Sequence, residues 1–151
     1  MEPRLDLKNL TVDEFTSVEP ITITEGDSVM RASMMMEAAN IRHLPVLRDG
    51  CVIGIISKRD ISVLESSLDE LAVETIMTPD PFTVRSTDLL RDVVFEMSSR
   101  KIGSVLVNDD KDKLYGIFTS IDALNVNGGV KVYRRGGAKV YQLAHDGLML
   151  F

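Results

Sequence analysis

The chain has 151 residues, of which 44% are hydrophobic, so it can form one ordinary domain or two small units that share a core. Its formal net charge of −6 excludes the broad positive field of proteins that hold nucleic-acid phosphates, and no apolar run has the length of a membrane span. The single cysteine, Cys51, permits no intramolecular disulfide, and the acidic N-terminus has no apolar signal stretch, which together predict a cytoplasmic protein. We expect no nucleic-acid partner, no membrane association and, with only two histidines, no metal site.

The first half of the chain predicts an extended segment after a proline, a helix, a hairpin and a second helix. Asp27-Ser28 marks the start of the first helix, because both side chains can accept hydrogen bonds from the amides of a first turn. The predicted hairpin joins Leu44–Leu47 to Val52–Ile56 through Asp-Gly, a pair that supplies the positive φ angles of a tight turn. A closing helix is expected over Arg59–Leu64.

The second half predicts the same order of elements. Thr87-Asp88 marks the start of its first helix. The hairpin is predicted to join Val105–Val107 to Leu114–Phe118 through a longer polar turn. The closing helix is expected over Ile121–Leu124 and is predicted to be much the shorter of the two closing helices.

An internal repeat explains this likeness. Residues 10–47 match residues 71–108 at an offset of 61, and the offset becomes 62 beyond residue 47, where the extra residue falls in a hairpin turn. The matched positions include Val29, Ala32 and Met36 with Leu90, Val93 and Met97 on one helical face, and Gly54–Asp60 with Gly116–Asp122. We therefore predict two small domains, residues 1–66 and 67–125, which are too small to be stable alone and pack together with pseudo-twofold symmetry.

Residues 126–151 lie outside the repeat. Val130–Tyr133 and Ala138–Tyr141 are short β-favouring segments on either side of a glycine-containing turn, so they predict a β-hairpin. Leu148–Phe151 is apolar, and burying each large side chain stabilises a protein by roughly 1.5–3 kcal/mol. We expect this end to dock against its own module, in a dimer contact or on a partner.

Three blocks of the repeat resemble the CBS-domain family, whose paired copies are called Bateman modules. They are Ile76–Val84, the two turns of pattern Gly-x-x-Ser/Thr-x-x-Asp, and Arg42–Val46 with its counterpart Ile102–Leu106. The resemblance covers residues 10–124 and implies an α+β fold of two tandem βαββα repeats related by a pseudo-twofold axis, to which this chain adds its C-terminal hairpin tail. It is similar to a stand-alone pair of such repeats.

The resemblance implies a regulatory, non-catalytic module that senses energy or metabolite state by binding adenine nucleotides such as AMP, ADP or ATP in clefts between the repeats. S-adenosylmethionine and NAD are alternative ligands, and no cofactor is implied. The resemblance also implies a homodimer and a regulated enzyme or transporter as partners. A ligand-independent homodimerisation scaffold that regulates such a partner by contact is the alternative function. No nucleophile has an evident base and orienting partner, so we expect no enzyme activity.

The chemistry of the repeated turn fits this ligand class. A carboxylate such as Asp60 or Asp122 can accept two hydrogen bonds from the vicinal hydroxyls of a ribose, and the hydroxyls of Ser57 and Thr119 are implied to hold the α-phosphate. Helix capping is the alternative role for all four side chains. The complete set of predicted ligand-binding residues is Thr22, Ile23, His43, Leu44, Pro45, Ser57, Lys58, Arg59 and Asp60 in the first copy, and Thr83, Val84, Gly103, Ser104, Val105, Thr119, Ser120 and Asp122 in the second.

The two clefts are expected to be unequal. Lys58 and Arg59 of the first copy are replaced by Ser120 and Ile121 in the second, so the first should prefer ligands with more negative phosphate charge. Arg100-Lys101 compensates in part from another element of the second copy. Lys58 and Arg59 can also be read as ordinary solvated surface charges.

Overall fold

The computed structural model describes residues 9–64, 66–127, 130–135 and 138–143, with side chains described as far as residue 123. These residues form two compact units. The first-repeat unit is Glu19–Phe82, and the second-repeat unit combines the described residues up to Val18 with those from Thr83 onward. The predicted α+β fold with two tandem repeats is confirmed.

The first-repeat unit contains a four-stranded sheet in the order β2-β3-β4-β5. Strand β2 (Ile23–Thr24) runs parallel to β3 (His43–Arg48), whereas β4 (Cys51–Ser57) is antiparallel to both β3 and β5 (Thr78–Pro79). The helices of this unit are α1 (Val29–Ala39) and the short α2 (Lys58–Ser62), and a 3₁₀ turn covers Val73–Thr75. Its core is a cluster of buried apolar side chains: Ile23, Val29, Ala32, Met36, Leu44, Val46, Ile56, Ile61 and Val73.

The second-repeat unit repeats this arrangement with the sheet order β1-β8-β7-β6. Its elements are a 3₁₀ turn (Val12–Phe15), β1 (Ser17–Val18), β6 (Thr83–Arg85), α3 (Leu90–Arg100), β7 (Ser104–Asn108), β8 (Leu114–Thr119) and α4 (Ser120–Asn127). Strands β6 and β7 are parallel, and β8 is antiparallel to β7 and β1. Phe118, Leu90, Met97 and Leu106 are the largest of its fully buried side chains.

Two short strands lie in the segments that lead into the repeats, and we call β1 (Ser17–Val18) and β5 (Thr78–Pro79) the lead-in strands. β1 pairs with β8 of the second repeat, with Ser17 opposite Ile117, whereas β5 pairs with β4 of the first repeat, with Thr78 opposite Ile55. The segment that precedes each repeat in the chain therefore completes the sheet of the other repeat.

Glycine makes both of these pairings possible. A Cβ atom at Gly54 would lie 2.9 Å from the carbonyl oxygen of Thr78, and one at Gly116 would lie 3.1 Å from the carbonyl carbon of Ser17. The contact at Gly54, and the even closer approach of a Cβ atom at Gly116 to the carbonyl oxygen of Ser17, are shorter than real Cβ atoms adopt. The glycine of each Gly-x-x-Ser/Thr-x-x-Asp turn is therefore required by the close approach of a lead-in strand.

Two local predictions were wrong. The second closing helix, α4, has eight residues and is longer than α2, which has five, because α2 ends in a tight turn in which the Leu64 N–H donates to the Ile61 carbonyl. Helix α3 begins after Leu89, which makes no side-chain cap, since Asp88 instead accepts a hydrogen bond from the Arg85 N–H and closes the preceding turn. Ser28 does cap α1, as predicted, by accepting from the Arg31 N–H.

The predicted C-terminal hairpin is present. Strand β9 (Val130–Arg135) is antiparallel to β10 (Ala138–Leu143) in a two-stranded sheet. The predicted docking of Leu148–Phe151 falls on residues that lie outside the described part of the chain.

Candidate functional site

The Ser57–Asp60 turn of the first-repeat unit is a reciprocal capping box. The Ser57 N–H donates to Oδ2 of Asp60 at 2.8 Å, and the Asp60 N–H donates to Oγ of Ser57 at 3.1 Å. Both side chains are partly buried. Oδ1 of Asp60 makes no hydrogen bond within the ranges that the structure describes, so this oxygen can accept one from a ligand.

The Thr119–Asp122 turn of the second-repeat unit has the same geometry. Thr119 donates to Oδ2 of Asp122 from its backbone at 2.9 Å and from its hydroxyl at 3.1 Å, and the Asp122 N–H donates to the Thr119 hydroxyl at 3.3 Å. Again Oδ2 is engaged, and Oδ1 has no hydrogen bond among the described residues. The capping role considered for these four side chains is therefore present in both turns.

The neighbouring strands hold the two turns in equivalent positions. His43 lies opposite Ser57 in the β3–β4 ladder, and Ser104 lies opposite Thr119 in the β7–β8 ladder. The backbone hydrogen bonds next to the two turns also match. The Lys58 N–H donates to the Arg42 carbonyl at 2.8 Å, and the Ser120 N–H donates to the Gly103 carbonyl at 2.9 Å. Each unit thus brings its own strand end and capping box together.

The sequence predicts walls beside an adenine that are formed by Thr22, Ile23 and Leu44 in the first copy and by Thr83, Val84 and Val105 in the second. The apolar members of these walls lie in the cores. Ile23, Leu44, Val84 and Val105 are all buried, and Pro45 is buried in β3. Of the predicted wall residues, Thr22 is half-buried and Thr83 is exposed. A ligand beside these strands would therefore meet Thr22, Thr83 and backbone atoms before it met the apolar side chains.

His43 adds a titratable group to the first site. Burial of the imidazole lowers the pKa of His43 below its ordinary value; the Asp60 carboxylate opposes this shift and the Arg42 guanidinium adds to it. The side chain is therefore neutral at pH 7, and it lies within the electrostatic reach of both Asp60 and Arg42.

Asp122 is a partly buried acid in the second site. Burial raises the pKa of Asp122 above its ordinary value, and the hydrogen bonds from Thr119 reduce this shift without cancelling it. Burial removes water molecules that would otherwise donate hydrogen bonds to this carboxylate, and a ligand with hydroxyl donors would replace those hydrogen bonds.

The cations predicted to lie near the two sites differ in exposure and in ion pairing. Lys58 and Arg59 are exposed at the start of α2, whereas Ser120 is half-buried and Ile121 is exposed at the start of α4. Arg100 pairs with Glu96 of its own helix at 3.0 Å, and Lys101 occupies the left-handed position that ends α3. Arg100 is therefore already engaged on its own helix.

Sequence reasoning missed one residue of this region. Arg42 ends the segment before β3, is exposed, and accepts the Lys58 N–H through its carbonyl. The alignment of the two copies could have identified Arg42, because it aligns with Gly103 and is therefore a cation that only the first copy has at this position.

Metal and membrane sites receive no support within the described part of the chain. No group of three or more His, Cys, Asp or Glu side chains could hold a metal ion there. None of the helices described is long and apolar enough to cross a membrane.

The fold and the duplicated capping box define a tandem pair of α+β repeats. The CBS-domain family matches this chain twice, over residues 12–64 and 73–128. These matches cover more than half of the sequence, and the chain therefore belongs to the CBS-domain family.

Curated relatives are much longer proteins. The chain is 33% identical over 121 residues to the L-aspartate semialdehyde sulfurtransferase of Methanocaldococcus jannaschii, a match that covers 80% of this chain and 24% of that enzyme. It is 31% identical over 110 residues to the inosine-5′-monophosphate dehydrogenase of Korarchaeum cryptofilum, which covers 73% of this chain and 23% of that enzyme. The chain thus spans about a quarter of the length of these relatives.

Solved structures of CBS pairs have the same fold. The CBS domain pair of protein MJ0100, in complex with 5′-methylthioadenosine and S-adenosyl-L-methionine, matches with a TM-score of 0.72 and 32% identity over 80% of this chain and 97% of that one. CBSX2 in complex with AMP matches with a TM-score of 0.66 and 26% identity over 76% of this chain and 93% of that one.

Proposed function

We propose that this chain is a regulatory module that binds an adenine nucleotide of the AMP, ADP or ATP class, with one site on each repeat unit, and that it catalyses no reaction. The observation that carries the proposal is the duplicated capping box, in which Asp60 and Asp122 each use Oδ2 for the fold while Oδ1 makes no hydrogen bond among the residues that the structure describes. We also infer that it acts in the cytoplasm, where its exposed Cys51 would stay reduced.

Ribose chemistry explains why a carboxylate is needed at these positions. The vicinal 2′- and 3′-hydroxyls of a ribose are two donors side by side, and an ionised carboxylate is an acceptor with two oxygens and about four lone-pair directions. A charge-assisted hydrogen bond is about twice as strong as a neutral one. Since each turn already fixes its carboxylate through Oδ2, little side-chain entropy is lost when the ligand binds.

The related complexes support the same ligand class. 5′-Methylthioadenosine, S-adenosyl-L-methionine and AMP, the ligands of the MJ0100 pair and of CBSX2, all contain adenine on a ribose with free 2′- and 3′-hydroxyls. The shared part, and not the 5′ substituent, is therefore what recognition at Asp60 and Asp122 would require. S-adenosylmethionine remains an alternative ligand to the nucleotides on the same grounds.

Isothermal titration calorimetry with AMP and adenosine tests the proposal. Asp60→Asn and Asp122→Asn keep an oxygen that accepts the backbone N–H of the capping box but remove the charge, so each should eliminate one site and the double variant should eliminate both. Asp27→Asn and Asp88→Asn are matched controls, because these carboxylates accept the backbone N–H groups of Thr24 and Arg85 at another repeated position. Unchanged affinity in the double variant would refute the ribose assignment.

A ligand-independent dimerisation scaffold is the second candidate function. Met34 and Phe95 occupy matching positions in α1 and α3, and 62% and 59% of their surfaces are exposed. Exposed large apolar side chains at a repeated position favour a contact surface. Thermal melting distinguishes the two functions, since a ligand at 100 times its dissociation constant stabilises its protein by about 2.7 kcal/mol and a scaffold would not respond to AMP, ATP or S-adenosylmethionine.

The regulated partner is expected to be an enzyme or a transporter. The sulfurtransferase and the dehydrogenase described above carry the matching segment as about a quarter of a longer enzyme. A module of this kind would pass ligand binding on to such a partner through a change in its preferred conformation.

A further inference from the structure

The residues that border the two capping boxes differ in charge. Around Ser57 and Asp60 the first-repeat unit has four basic side chains, and around Thr119 and Asp122 the second-repeat unit has none at the same positions. The matched pairs are Arg42 with Gly103, His43 with Ser104, Lys58 with Ser120, and Arg59 with Ile121.

The backbone shows that these positions are equivalent. Lys58 N–H donates to the Arg42 carbonyl at 2.8 Å, and Ser120 N–H donates to the Gly103 carbonyl at 2.9 Å. Arg42 and Lys58 are therefore neighbours in space although 15 residues lie between them in the sequence. Arg42 also lies close enough to His43 for its charge to lower the pKa of that imidazole.

The cations of the first-repeat unit are free to meet a ligand. Arg42, Lys58 and Arg59 are exposed, and none of them forms an ion pair with any residue that the structure describes. Arg48 of the same unit is different, because its guanidinium pairs with Glu25 and Glu74. We call Arg42, Lys58 and Arg59 the cation cluster.

The second-repeat unit has an apolar and acidic character at the same place. Ile121 has 51% of its surface exposed next to the desolvated Asp122 carboxylate. Arg100 and Lys101 precede Gly103 in the sequence, but Arg100 pairs with Glu96 of its own helix, and the counterpart of Lys101 in the first-repeat unit is Asn40. Asn40 and Lys101 both have positive φ, because they are the residues that end α1 and α3. Lys101 therefore belongs to a helix terminus and not to the strand end that borders the capping box.

We propose that the first-repeat site selects adenosyl ligands with an anionic 5′ phosphate through the cation cluster, whereas the second-repeat site selects adenosyl ligands with an uncharged 5′ group. The proposal rests on the proposed function, because it assumes that each carboxylate holds the ribose. It goes further by assigning a different ligand charge to each site.

The physical basis is charge compensation. Arginine offers a planar fork of donors that matches phosphate oxygens, and lysine adds a point charge on a flexible stem. Because all three cations are exposed, their attraction for a phosphate is screened by salt. A phosphate at the second site would instead lie near Asp122 with no cation at the matched positions, and like-charge repulsion would weaken its binding.

Calorimetry on the single-site variants measures the difference. Asp122→Asn leaves only the first-repeat site, and Asp60→Asn leaves only the second. Each variant is titrated with adenosine, AMP and 5′-methylthioadenosine at low and high salt. The first-repeat site should bind AMP at least about tenfold more tightly than 5′-methylthioadenosine, the size of one charge-assisted hydrogen bond, and this preference should fall with salt. The second-repeat site should prefer 5′-methylthioadenosine at both salt concentrations.

Exchange of residues tests the cause. In the Asp122→Asn background, Arg42→Gln, Lys58→Ser and Arg59→Ile together should remove the AMP preference and its salt dependence but leave adenosine affinity unchanged. In the Asp60→Asn background, Ser120→Lys with Ile121→Arg should create an AMP preference. Arg31→Gln and Lys101→Asn are controls that each remove one positive charge at another position and should alter neither preference.

The outcomes separate the two proposals. If both sites bind adenosine with the same ratio of AMP to 5′-methylthioadenosine affinity, the charge assignment is overturned and the proposed function stands. If Lys101→Asn changes the preference of the second site, the assignment to matched positions is also overturned. If no adenosyl ligand binds either site, the proposed function fails, and the charge assignment fails with it.

Discussion

Ser57 and Asp60 exchange two hydrogen bonds, one of 2.8 Å from the Ser57 N–H to the carboxylate and one of 3.1 Å from the Asp60 N–H to the Ser57 hydroxyl. The pair therefore stabilises the turn between β4 and α2 before any ligand arrives. The carboxylate that is proposed to read the ribose is thus also a structural residue, and substitutions can separate these two roles.

Ser57→Ala should lower the free energy of unfolding by about 1 kcal/mol, because the Asp60 N–H loses its acceptor at the start of the helix. Asp60→Asn should change stability less, since the amide oxygen can still accept the Ser57 N–H. Urea denaturation of both variants measures the difference. Equal losses in the two variants would show that the charge of Asp60, and not its hydrogen bond, stabilises the turn.

Gly116→Ala should destabilise the protein by about 1–3 kcal/mol, the usual cost of forcing atoms into a packed site. The new methyl group would meet the backbone of Ser17 in β1, which cannot move without breaking the β1–β8 pairing. Gly54→Ala should cost less, because one of its obstacles is the flexible side chain of Met77, although the Thr78 carbonyl oxygen also lies 2.9 Å away. Thermal or urea denaturation provides the measurement.

Gly26→Ala is the control for these glycine variants. A Cβ atom at Gly26 would have nothing within 4 Å, so its stability should stay within about 0.5 kcal/mol of the parent. If Gly116→Ala were as stable as Gly26→Ala, the close approach of β1 to β8 would not exist in solution.

The repeat and the hairpins were predictable from sequence because their signals are local. Predicted strand limits such as Val105–Val107 differ by one residue at each end from the observed Ser104–Asn108. Apolar periodicity identified Val29, Ala32 and Met36, all buried on α1. In contrast, the lead-in strands Ser17–Val18 and Thr78–Pro79 have two residues each, which is too short for any periodic pattern.

The candidate site was predictable only in part. The Gly-x-x-Ser/Thr-x-x-Asp spacing identified both capping boxes, because a hydroxyl and a carboxylate three residues apart form a local motif. Arg42 was missed because it meets Lys58 through a backbone hydrogen bond between separate elements. The role of Asp88 was also predicted wrongly. A carboxylate near a helix start can accept a hydrogen bond from the residues before it or from the first turn of the helix, and Asp88 accepts one from the Arg85 N–H before it.

His43 should make the protein less stable as the pH falls below about 6.5. Burial lowers the folded-state pKa of His43, so the unfolded chain binds a proton more readily between the ordinary value of 6.5 and the folded value. Stability is therefore complete above pH 6.5 and decreases as the pH falls through that window. His43→Ser, which copies the matched residue Ser104, should reduce this slope. Urea denaturation between pH 5.5 and 7.5 measures both slopes, and parallel curves would contradict the assigned burial of the imidazole.

Asp122→Asn should stabilise the ligand-free protein at pH 7 although it eliminates the proposed second ligand site. Burial raises the folded-state pKa of Asp122 above 3.8, so the folded protein holds this proton more tightly than the unfolded chain does. The contribution of this group to stability is complete below pH 3.8 and is lost as the pH rises through the folded value, which leaves a desolvated charge at neutral pH. An uncharged amide avoids that cost and still accepts the Thr119 N–H.

Urea denaturation at pH 7 and pH 4.5 measures this effect. The free energy of unfolding of the variant should exceed that of the parent at pH 7, and the difference should be smaller at pH 4.5. Asp88→Asn, a carboxylate in an exposed hydrogen bond with Arg85, is the control. A loss of stability in Asp122→Asn at pH 7 would mean that the ionised carboxylate stabilises the turn more than its burial costs.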